Sequence, residues 1–110
     1  MALFITYASY STSGAQGLIS KPEDRAKAIE GLVGKIGGKI VALYMTTGRN
    51  DIVLVTEAPD GADVVAVSMA VSSTGSLSSI ETVRAWTSAD FVAIAEKAGT
   101  LTGAYTPPGS

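Results

Sequence analysis

An α+β fold of order βαββαβ, with a further helix at its end, is predicted by three features of the sequence. Residues 3–10 and 79–86 alternate side chains with the period of two that marks strands, and residues 26–36 carry Ala26, Ile29, Leu32, Val33 and Ile36 on a 3.6-residue stripe. Between them, two apolar runs flank the polar turn Gly48-Arg49-Asn50-Asp51, the pattern of a hairpin. The resulting order is the ferredoxin-like split arrangement, with one antiparallel sheet of four strands.

The first strand places Leu3, Ile5, Tyr7 and Ser9 on one side and Phe4, Thr6, Ala8 and Tyr10 on the other. Residues 11–19, with Gly14, Gly17 and several hydroxyls, read as a loop leading to Ser20-Lys21-Pro22-Glu23. There Ser20 is a candidate cap, Pro22 suits a first helical turn and Glu23 completes a capping box. Gly37-Gly38 stops the first helix, because glycine adopts positive φ without steric cost.

The second and third strands, residues 39–46 and 52–58, lack the polar residue at every second position that a solvated face requires. Strict alternation sets Ile40, Ala42 and Tyr44 against Val41, Leu43 and Met45. Both faces of the hairpin should therefore be covered. Helices account for one face, the remaining chain is too short for the other, and a partner subunit is the economical answer.

Residues 62–71 combine valines, which favour a strand, with the cap at Asp60, alanines and a terminating Ser72-Ser73-Thr74-Gly75, which favour a helix of about three turns. The helix is the preferred reading. After the fourth strand, Thr87-Ser88-Ala89-Asp90 caps a last helix with Phe91, Ile94, Ala95 and Ala98 on its stripe, stopped by Gly99. A single domain thus occupies residues 1–99, and residues 100–110, with Pro107-Pro108, form an irregular tail.

Composition narrows the function classes. The chain has 110 residues, of which 46% are apolar and 16% charged, so disorder is excluded and too few charges exist to cover the surface. A domain this small and apolar is expected to hide surface in a homo-oligomer, a dimer or a multiple of dimers. Net charge is -2 and basic residues are scattered, so nucleic acid is not an expected partner. No segment approaches the roughly 20 apolar residues of a membrane span, and the start has neither the length nor the basic charge of a signal peptide, so a cytoplasmic location is expected. With no Cys and no His, thiolate chemistry, the usual near-neutral acid/base and the commonest metal ligands are all missing. No metal and no cofactor are expected.

Several short matches, in order, resemble one family. They are Gln16-Gly17 in the first loop, Pro22 and Arg25-Ala26 at the first helix, Gly37-Gly38-Lys39, and Tyr44-Met45-Thr46-Thr47-Gly48. Further along come Glu57-Ala58-Pro59-Asp60, then Glu81-Thr82-Val83-Arg84-Ala85-Trp86-Thr87 and Phe91. From Tyr7 to Lys97 the chain is similar to GYD domain proteins, with Gly48 and Asp51 matching the naming motif and Asn50 standing at its aromatic position. The resemblance implies a ferredoxin-like fold and a dimeric α/β-barrel-like assembly in which two sheets meet face to face. It implies little about activity.

Candidate ligand-binding residues are Tyr7, Tyr44, Arg49, Asn50, Asp51, Arg84 and Trp86. Arg49, Asn50 and Asp51 sit on the hairpin turn, where a guanidinium fork and a side-chain amide suit a carboxylate or amide, although Asn and Asp beside Gly are also ordinary turn formers. Tyr7, Tyr44 and Trp86 lie on strands expected to be neighbours and either line a cleft or fill core and interface. Glu81 and Arg84 stand on opposite faces of a strand expected near the sheet centre, so each needs a partner, with Arg49 for Glu81 and Asp51 for Arg84 as candidates. No catalytic residue is identified. Three readings stay open: an oligomeric domain that binds a small molecule or a protein, a cofactor-independent enzyme of monooxygenase or isomerase type, and a structural assembly unit.

Overall fold

A computed structural model describes residues 1–110. In chain order the elements are β1 (Ala2–Tyr10), α1 (Thr12–Ser20), α2 (Ala26–Lys35), β2 (Lys39–Met45), β3 (Ile52–Ala58), α3 (Gly61–Ser72), β4 (Leu77–Ala85) and α4 (Ser88–Leu101). A short 3-10 turn, Thr102–Ala104, follows α4. The strands form one antiparallel sheet in the order β2-β3-β1-β4, so the α+β, ferredoxin-like fold is as expected.

Pairing registers define two faces. Across the helix-covered face run the rows Ile40, Thr56, Phe4, Arg84 and Met45, Ile52, Ala8, Ile80. Across the other run Ala42, Val55, Ile5, Val83 and Tyr44, Val53, Tyr7, Glu81. Strict alternation fails once in β2, because the register slips between Ile40 and Ala42 and leaves Val41 as the extra residue of a bulge. Ile40 therefore shares a face with Leu43 and Met45, not with Ala42 and Tyr44.

Residues 11–19 are not a loop. Ser11 caps α1 by accepting a hydrogen bond from the Gly14 N–H at 3.1 Å and donating one to the Gly75 carbonyl at 2.6 Å. Two glycines in a nine-residue helix cost about 1 kcal/mol each relative to Ala. Gly14 compensates by close approach: a Cβ there would lie inside the contact distance of the Ser76 carbonyl oxygen and 3.2 Å from Tyr10 Cδ1. The helix exists because it docks on the α3–β4 connection, a contact invisible to local propensity.

The predicted capping box is consequently replaced. Ser20 ends α1, and α2 begins at Ala26, whose N–H is held by the Asp24 carboxylate at 2.9 Å. Gly37 has φ of 73° and terminates the helix as expected. The ambiguous segment becomes α3, because the Asp60 carboxylate accepts from the Ala62 N–H at 2.9 Å and fixes the first turn.

A small cluster of Phe4, Ala58 and Val64, flanked by Ala2 and Ile36, lies between β1, β3 and α3. Only seven of 110 residues are buried. Helix α4, capped by Thr87, runs through Gly99, the stop expected from sequence, to Leu101 and buries none of its residues. Its projection gives the chain a radius of gyration of 17.7 Å, against about 13 Å for a compact chain of this length. No helix is long and apolar enough to cross a membrane.

Because Gly14 is held against Ser76, Gly14→Ala is expected to lower unfolding free energy by about 1–3 kcal/mol, measured by urea denaturation. A change below about 0.5 kcal/mol would show that α1 does not depend on this approach.

Candidate functional site

The helix-free face carries the densest group of sequence candidates. Tyr7 on β1 stands opposite Val53 on β3, which stands opposite Tyr44 on β2, so the two tyrosines flank one valine in a single row. Glu81 on β4 lies on the other side of Tyr7 and completes the row. Tyr44 is 66% exposed.

The loop from Thr46 to Asp51 closes over the end of this row. It is tied down by backbone and side-chain bonds: the Asp51 N–H donates to the Ala8 carbonyl at 2.9 Å, and the Ser9 hydroxyl donates to the Arg49 carbonyl at 3.2 Å. The Thr46 hydroxyl also donates to the Asn50 carbonyl at 2.7 Å. Thus anchored, Arg49 and Asn50 join Tyr7, Ser79, Ile80 and Glu81 around an open depression of about 390 Å³. A guanidinium, an amide, a phenol and a carboxylate bordering one depression suit a polar partner carrying both donors and acceptors.

Asp51 has a different job. Its carboxylate accepts a 2.9 Å hydrogen bond from the Tyr10 N–H, ending β1 against the hairpin loop. That bond holds the loop in place and occupies one of the carboxylate's oxygens.

Arg84 and Trp86 lie at the opposite end of β4. From the Tyr7 level to the Leu3 level is about 13 Å along the strand, so the seven candidates do not form one site. Arg84 is on the helix-covered face, where its guanidinium sits 4.5 Å from the Trp86 ring centroid and 5.7 Å from that of Phe4. It donates to the carbonyls of Leu3 and Ala85. Trp86 falls just beyond β4 and meets Phe91 of α4 edge-on, with centroids 6.3 Å apart.

The charge partners expected from sequence are not the ones formed. Ion pairs join Arg25 to Glu23 at 2.5 Å and Lys39 to Glu57 at 3.5 Å, leaving Glu81 unpaired and Arg84 on aromatic rings. The reason is strand order: β4 is an edge strand, so Glu81 and Arg84 are exposed and no buried charge demands neutralising. Ser79 was not singled out in the sequence. It enters the depression because the β1–β4 register sets it opposite Ser9, information that alternation within one strand does not contain.

No group of three or more Asp or Glu side chains is placed to hold a metal ion. The depression is open to solvent in the single chain.

Asp51→Ala is expected to cost about 1–2 kcal/mol by freeing the Tyr10 N–H, whereas Arg49→Ala should change stability by less than about 0.5 kcal/mol. Parallel thermal and urea melts separate the two. Equal losses would overturn the division into an anchoring Asp51 and a free Arg49 side chain.

Comparison with known proteins supports the same architecture. The crystal structure of TTHA0845 from Thermus thermophilus superposes with a TM-score of 0.50 at 16% identity, over 78% of this chain and 94% of that one, a likeness of fold. A Thermus thermophilus protein described as a glutamine synthetase and cystathionine beta-lyase binding protein is 32% identical over 93 residues, which span 84% of this chain and 97% of that protein. The sequence model of the GYD domain matches residues 4–95. With most of its length inside that match, the chain belongs to the GYD domain family.

Proposed function

We propose that this chain is a non-catalytic, cytoplasmic binding protein that assembles as a face-to-face dimer and docks on other proteins. The observation that carries this reading is the uncovered apolar surface. The chain's total accessible surface, polar and apolar together and with the projecting α4 included, is 7497 Å², where a compact monomer of its size exposes about 5,700 Å². The excess is more than the roughly 800 Å² per partner of a standard interface.

The central part of that surface is the row Ala42, Val55, Ile5, Val83 on the helix-free face, flanked by Tyr44, Val53 and Tyr7. Two copies packed sheet to sheet would bury these rows and form the α/β-barrel-like assembly. Helix α4, with Phe91 50% and Val92 54% exposed, adds a second unpartnered surface. The polar depression bordered by Tyr7, Arg49 and Asn50 lies at the end of the rows, so it stays at the rim of such a dimer and is the region assigned to partner contact.

A protein partner is favoured by the description of the Thermus thermophilus relative, which names two enzymes as what that protein binds. Charged and aromatic groups at a rim suit this task, since Arg and Tyr are enriched where interfaces concentrate their energy.

Light scattering at micromolar concentration should return at least twice the chain mass, and Val55→Asp should shift it to the monomer. A parent chain that is monomeric would overturn the assembly. For the partner, glutamine synthetase from the same source should be retained by the immobilised protein, with Arg49→Glu weakening capture by about tenfold, some 1.4 kcal/mol, while the dimer mass is unchanged. Capture indifferent to Arg49→Glu would remove the depression from the contact region.

A further inference from the structure

Helix α2 packs on β2, while α3 packs on β3 and β4. Because β1 lies between β3 and β4, α3 crosses above it, and the cleft left between α3 and α2 has a floor of Thr6 and Ala8 from β1 and Ile52, Leu54 and Thr56 from β3. A cavity of about 170 Å³ fills that gap, and 14 of its 19 lining residues are apolar, among them Leu32, Leu54, Val67 and Val71. Its volume is close to the roughly 150 Å³ of an engineered apolar cavity that accepts a benzene ring.

The lining is polar chiefly at one end. Arg25, at the start of α2, borders the cavity together with Tyr10 and Ser76. Its guanidinium donates to the Glu23 carboxylate at 2.5 Å through one nitrogen, with the side chain 40% exposed. A guanidinium carries five N–H donors, so one carboxylate does not exhaust it. Along the wall, the hydroxyls of Thr6 and Thr82 satisfy each other at 2.8 Å, and Ser68 approaches Thr82 at 3.4 Å, so this stretch makes no demand on a ligand.

We propose that the cleft between α2, α3 and β1 binds a small aromatic carboxylate, its ring in the apolar cavity and its carboxylate on Arg25. The site lies on the opposite face of the sheet from the Tyr7, Arg49 and Asn50 depression and does not depend on what that depression contacts. Glu23 competes with the ligand for the same guanidinium, which makes Glu23 a negative determinant of affinity.

Titrations with benzoate and benzyl alcohol, followed by amide chemical shifts, test the assignment. Saturable shifts are expected at Arg25, Leu32, Val67 and Val71 with both probes. Val67→Phe and Ala28→Phe, which fill the cavity from α3 and α2, should each weaken benzoate by about tenfold. Ala28 is exposed, so its variant keeps the test alive if Val67→Phe does not fold. Arg25→Gln should weaken benzoate by about tenfold and leave benzyl alcohol nearly unchanged, whereas Glu23→Gln should tighten benzoate alone. Absence of saturable shifts, shifts confined to the Tyr7 and Arg49 depression, or undiminished binding in a folded filling variant would overturn the site. Equal loss of both probes in Arg25→Gln would overturn the carboxylate assignment.

Discussion

Everything in this structure depends on one shortfall of coverage. A four-stranded sheet has two apolar faces, and the chain supplies packed helices for only one of them. On the covered side Phe4, Ala58 and Val64 make a core; on the other, Ile5, Val53 and Val55 are only half-buried and Val83 is exposed. The hydrophobic contribution of burying such residues fully is about 1.5–3 kcal/mol each, so much of the stabilisation this sequence can deliver is not realised within one chain. The assembly proposed above follows from that deficit.

The same shortfall bears on where the polar candidate residues stand. Polar groups placed among the central rows would be buried by a second sheet and would need partners of their own. The hairpin loop avoids this by rising over the end of β1, with the Asp51 carboxylate on the Tyr10 N–H and the Asp51 N–H on the Ala8 carbonyl. Those bonds let Arg49 and Asn50 stand at a fixed height beside Tyr7 and Glu81. The anchoring Asp51 and the candidate residues Arg49 and Asn50 are adjacent in one loop.

Side-chain size shapes the helix side in a similar way. Thr6 and Ala8 on β1 are small, and α2 and α3 settle on different strands. The cavity between them is the consequence. At the end of the same strand, Gly14 lets α1 approach Tyr10 and the Ser76 carbonyl.

The sequence by itself determined the strands, α2, the hairpin, the caps at Asp60 and Thr87 and the two-faced character of the sheet, because each rests on periodicity or on a bond between near neighbours. It also carried the family resemblance, down to Asn50 in the naming motif. Only the tertiary structure decided that α1 is a helix, since its warrant is a hydrogen bond from Ser11 to Gly75, 64 residues away. The bulge at Val41, the edge position of β4 and the separation of Arg84 and Trp86 from Tyr7 likewise depend on strand order and register. Local pattern fixes which way a side chain points from its own strand; which strand lies beside it is set by packing among residues far apart in the chain, and that is why the candidate residues were recognisable singly but not as a site.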